Sequence, residues 1–159
     1  MYQYIHAVYS DLSQCSDEFV KGVELLEQCS VEDAILFFEK ACNKSSSDDP
    51  LLHKYRSFFG LTRLLNGERD AIKLCQSAME QFPFDGDVCL NLARAEYFHT
   101  NRLEALTAIE TGLKFSSGHP GLQKLKEKMG VRVRKPVPFV SRDNWVNNWL
   151  GRKLRKTRF

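Results

Sequence analysis

The chain has 159 residues, 43% of them hydrophobic and 27% charged, which suits one globular domain and excludes both a disordered polymer and a membrane-embedded protein. No apolar run approaches the roughly 20 residues of a bilayer span, and "MYQYIHAVYS" lacks the cationic start and small-residue cleavage pattern of a signal peptide; a cytoplasmic protein is expected. The net charge of +3 hides an asymmetry: Val131–Phe159 carries nine Lys/Arg and a single acid, Asp143, so the preceding residues carry a net charge of −5.

In chain order, "YQYIHAVYSDL" places Ile5, Val8, Tyr9 and Leu12 at helical spacing and predicts an N-terminal capping helix within residues 1–14. Three similar segments follow: "VEDAILFFEKAC" from Val31, "ERDAIKLCQSAM" from Glu68 and "RLEALTAIETGL" from Arg102. Aligned on Ala34, Ala71 and Ala105, they place a small residue seven positions later (Ala41, Ala78, Gly112). Another small residue lies upstream of each alanine (Gly22, Gly60, Ala93). Prolines mark the exits at Pro50, Pro83 and Pro120. Small residues at fixed places in successive helices let antiparallel helices approach closely, with larger apolar residues filling the space between them.

The helix ends carry their own signals. Asp49-Pro50 offers a capping carboxylate and a first-turn proline. Asn101 with Glu104 resembles a capping box, and Ser30 with Asp33 a weaker one. Leu122, Leu125 and Met129 share a face of a short helix over 120–129 that Gly130 closes. "SSGHPG" has the look of a catalytic-type loop, but a histidine cap beside Pro120 is the better reading of His119.

A period near 34 in helix–turn–helix units resembles the tetratricopeptide repeat. The resemblance covers about Ser16 to Pro120, in repeats of about 15–50, 51–84 and 85–118. Its frame matches Gly22, Ala34 and Ala41, then Gly60, Ala71, Ala78 and Pro83, then Ala93 and Ala105. Pro50 and Pro120 arrive late, repeat two is one residue short between its helices, and Glu18, Arg56 and Cys89 stand where the family carries an aromatic. The fold class implied is all-α: a superhelical stack of tandem helix pairs, capped at both ends. The family binds peptides in the concave face lined by the first helix of each repeat. The frame puts Phe19, Val23 and Leu26 there from repeat one, Lys54, Ser57, Leu61 and Leu64 from repeat two, and Asp87, Leu90, Arg94 and Tyr97 from repeat three. The same residues also fit a core between helices. Of the family's Lys/Asn/Arg carboxylate acceptors only Asn91 and Arg94 are hinted at, so an apolar segment or amphipathic helix is the expected guest.

Residues 131–159 read differently. Pro136 and Pro138 make "VRVRKPVPFV" an extended strap. "SRDN" then starts a helix in which Trp145 and Trp149, and Val146, Leu150 and Leu154, fall four apart beside Arg152, Lys153, Arg155 and Lys156. Phe139 of the strap and Trp145, Trp149, Leu150 and Leu154 of the helix form the docking face of the tail. That face suits the chain's own acidic body, a partner protein or an anionic lipid surface; nucleic acid is the weakest of the four readings.

The five cysteines form no C-x-x-C pair and the four histidines never fall at metal-ligand spacing, so reduced thiols, no metal and no cofactor are expected. No nucleophile–base pair, phosphate loop or metal motif is present. The function expected is a non-enzymatic adaptor or chaperone-like scaffold for a protein or peptide, similar in size and repeat count to the small repeat chaperones that hold bacterial translocator proteins. The alternative is a peripheral membrane factor using the basic tail.

Overall fold

The computed structural model describes residues 12–130; the first eleven residues of the expected N-terminal cap and the docking face of the tail (Phe139, Trp145, Trp149, Leu150, Leu154) lie outside the described residues. The protein is all-helical, with seven α-helices and no strand among the described residues: α1 (Asp17–Glu27), α2 (Val31–Lys44), α3 (Leu52–Leu65), α4 (Ile72–Gln81), α5 (Gly86–Phe98), α6 (Arg102–Phe115) and α7 (Pro120–Lys128). They belong to a unit that ends at Lys128; Met129 and Gly130 fall in a second. Each helix packs on the next in sequence, and α5 also touches α3 and α7.

The pairs α1/α2, α3/α4 and α5/α6 are joined by one recurring turn. Cys29, Gly67 and Thr100 take left-handed φ values of 63°, 101° and 65°. Around them, Ser30, Glu68 and Asn101 donate backbone bonds to the carbonyls of Leu25, Arg63 and Glu96, which is a Schellman closure. The left-handed residue always falls seven positions after the small residue of the first helix: 22 to 29, 60 to 67, 93 to 100. Glycine is the natural occupant of that conformation; Cys29 and Thr100 adopt it against the Cβ penalty.

In the middle pair, a 3₁₀ turn over Arg69–Ala71 precedes α4. A 3₁₀ turn rises about 2.0 Å per residue against 1.5 Å for an α-helix, so three residues cover the length of four. That makes up for the residue missing from repeat two, and Ala71 lands buried as Ala34 and Ala105 do.

All nine recurring small residues are buried. A Cβ on Gly22 would lie 2.7 Å from the Phe38 ring, and one on Gly112 would lie 2.7 Å from Cβ of Cys89, so a side chain at either position would collide with the helix facing it. Larger side chains fill the remaining space. Phe19 sits among Phe38, Tyr55 and Phe58, with ring centroids at 5.5, 4.6 and 4.8 Å, in a core shared by Val23, Leu26, Ala34 and Ala41.

The helix starts differ in part from the sequence expectations. Asn101 makes no capping bond; its amide donates instead to Glu96 at 2.8 Å, because the preceding Schellman turn orients it back toward α5. Ser30 bonds Asp33 at 2.8 Å side chain to side chain and caps no backbone group. Asp49 accepts from the Leu51 amide at 2.8 Å, just before α3. The side-chain caps that do form are Ser16 on α1, Asp85 on α5 and His119 on α7.

Candidate functional site

Helix α5 is buried along ten of its residues, from Gly86 to Glu96, and with α3 it holds most of the groove positions expected from the sequence. The two helices run parallel, since Lys54 meets Asp87 while Ser57, a turn later, meets Asn91. Those partners are 33 and 34 residues apart, the repeat spacing itself.

Their meeting line is polar. Lys54 is only 6% exposed, and its ammonium lies 2.9 Å from Asp87 and 3.6 Å from Asp85. Asp87 is fully buried and also receives Nε2 of His119 at 2.9 Å. Ser57 donates to the Lys54 carbonyl at 2.8 Å and accepts from the Asn91 amide at 3.0 Å. Burial by itself would depress the Lys54 ammonium, but Asp87 and Asp85 together hold it above the ordinary lysine value. Opposite charges at contact distance offset the cost of burying each of them. The network ties α3, the turn before α5, α5 and the start of α7 together at one end of the helix array.

The groove residues separate into two groups. Phe19, Val23 and Leu26 belong to the core between α1, α2 and α3. Leu61, Leu64 and Leu90 are buried as well, at 3%, 0% and 0% exposure, and Lys54, Ser57 and Asp87 are buried in the polar seam. Arg94 and Tyr97, toward the end of α5, are half-buried. Sequence reasoning put Lys54 and Asp87 on the groove face without seeing that they pair. The visible signal was two opposite charges one repeat apart, Lys54 and Asp87, with an aspartate in a capping position, Asp85, two residues before the second.

A second surface at the same end was missed altogether. His53 stacks on Phe82 at 4.1 Å, Phe82 meets Phe84 at 5.0 Å, and Phe84 meets Phe115 edge-on at 6.4 Å. Phe84 and Phe115 remain 53% and 60% exposed. In the sequence these rings belong to a turn and a helix end, where no periodicity marks them.

The chemistry available is limited. Burial pushes the Cys75 and Cys89 thiols up to about 12 and that of Cys42 up to about 11, so they serve as small hydrophobes rather than nucleophiles. Both ring nitrogens of His119 are engaged in hydrogen bonds. Among the described residues no cluster of His, Cys, Asp and Glu is arranged to hold a metal ion, and no helix is long and apolar enough to cross a membrane. No protein-family model matches the chain, and no curated protein matches it in sequence.

Proposed function

We propose that the chain is a non-enzymatic, tetratricopeptide-like adaptor that binds a segment of another protein by shape and apolar complementarity, with charge setting orientation. The observation that carries this reading is the thrice-repeated helix pair, with the same left-handed turn and the same buried small residues each time. Units of this kind bury their faces against one another and leave extended surfaces for recognition. Two surfaces are candidates: the half-buried Arg94 and Tyr97 on α5, and the exposed rings of Phe84 and Phe115. A chaperone-like role, holding an apolar segment of its guest, uses the same surfaces.

The test is site-specific photo-crosslinking in the cell that makes the protein, with the reactive group at Tyr97, at Phe84, or at Glu32 on the exposed side of α2. A discrete crosslinked polypeptide at Tyr97 or Phe84, absent at Glu32 and competed by excess unlabelled protein, identifies the binding face. Crosslinks that are diffuse or equal at all three positions overturn the adaptor reading.

A peripheral membrane factor is the second reading, favoured by the charge asymmetry and the Trp145/Trp149 spacing of the tail. Co-sedimentation with anionic vesicles that is lost on deleting residues 144–159 supports it; indifference of the full-length chain to those vesicles removes it.

A further inference from the structure

The α7 start is held by a single histidine whose two ring nitrogens do different work. Nδ1 of His119 accepts the backbone N–H of Leu122 at 3.3 Å. The His119 carbonyl accepts the N–H of Gln123 at 3.2 Å, and Pro120 at the first helical position has no N–H to satisfy. His119 is therefore the N-cap of α7, and its imidazole takes the place of the usual Ser, Thr or Asp oxygen. An acceptor nitrogen carries no proton, so the hydrogen in the 2.9 Å contact with Asp87 is on Nε2. The ring lies against the first turn of α5 because Gly86 leaves room: a Cβ there would come within 2.4 Å of the imidazole.

We propose that His119 is a proton-operated latch on α7: it caps the helix while neutral and lets go of the first turn when Nδ1 takes up a proton. Protonation turns the cap's acceptor into a second donor that faces the Leu122 N–H. The Asp87 bond survives and becomes an ion pair, so the ring stays on α5 while α7 loses its anchor. The charged groups around the ring are Asp87 from α5, at 2.9 Å from Nε2, and behind it Lys54 from α3, which pairs with both Asp87 and Asp85 of the preceding turn; α7 has no acid in its first turn, and Lys114 at the end of α6 is exposed. Leu122 transmits the change. It is fully buried and packs where a Cβ on Gly112 would lie 2.6 Å from its Cδ1, so loosening its backbone loosens the seat of α7 on α6.

The experiment is amide hydrogen exchange on the full-length protein from about pH 8 to about pH 5, the window in which histidine ordinarily changes charge, read as protection of Leu122 relative to amides of α2. In the wild type, protection at Leu122 falls roughly five- to tenfold toward acid, as expected for the loss of one cap. His119→Asn keeps an acceptor near the Nδ1 position, so protection is retained and flat with pH. His119→Gln keeps a donor near the Nε2 position, so protection is low throughout. A flat wild-type profile overturns the latch, and so does an Asn variant as pH-sensitive as the wild type, which would place the titration on Asp85 or Asp87. Nitrogen NMR of the wild-type imidazole needs no variant: a proton on Nδ1 at neutral pH overturns the proposal, and one on Nε2 alone supports it.

Discussion

Truncating Phe19 to alanine separates a core residue from a groove residue by magnitude. The side chain is fully buried and meets three rings from α2 and α3 at centroid distances of 4.6–5.5 Å. Phe→Ala at such a site costs about 3–5 kcal/mol, from lost transfer energy plus a cavity the neighbours fill only in part. The ring pairs alone supply about 0.5–1.5 kcal/mol each. For a chain of this length that lowers the melting temperature by roughly 10 °C. Phe19→Leu, which refills most of the volume, costs about 1–2 kcal/mol. Urea titration followed by far-ultraviolet circular dichroism measures both, with an unchanged m-value as the sign that stability alone has moved. A loss below about 1 kcal/mol for Phe19→Ala would show that the ring lies at a surface, and the core built around it would be wrong.

Two further predictions concern the repeated turn and the thiols. Thr100 holds a left-handed φ of 65°, so Thr100→Gly stabilises the protein by about 0.5–1 kcal/mol, opposite to the usual effect of glycine in helical proteins; a loss of stability in urea titration would refute the turn geometry. Burial raises Cys75 and Cys89 from 9.0 to about 12. A thiol whose folded pKa is raised stays protonated in the native state after the unfolded chain has ionised. Its stabilisation is complete below about pH 9 and declines above it, by about 1.4 kcal/mol per pH unit for each thiol. Lys54, raised by its carboxylate partners, acts in the same direction at higher pH. Cys42, raised to about 11, contributes over the same interval, so Cys75→Ala should lower the slope between pH 9 and pH 10 by about a third or less; stability that does not change across that interval would contradict the burial of these thiols.

The helix content and the pairing of helices were legible in the chain because both rest on local rules. Gly22, Gly60 and Ala93, then Ala34, Ala71 and Ala105, recur at a helical-pair period, and only small residues permit the close approaches seen at Phe38 and Cys89. His119 beside Pro120 was legible as a cap for the same reason: the proline leaves the next free amide in need of an acceptor. The roles of apolar residues within the frame were not legible. Phe19, Val23 and Leu26 have a spacing that fits either a groove or a core, since period alone says that a face is apolar and not what covers it.

Tertiary structure decided what distance in sequence concealed. Lys54, Asp87 and His119 are ordinary surface types when read singly. They become one buried network only when α3, α5 and the α7 start converge, because a charge can leave water only where another charge meets it. The Asn101 box failed for a related reason: the turn that ends α5 aims that side chain at Glu96 before α6 begins. The sequence by itself determined which segments are helical and which small residues let them pair, through side-chain size and backbone preference. Which faces meet, and which charges and protons are thereby trapped, was decided by packing.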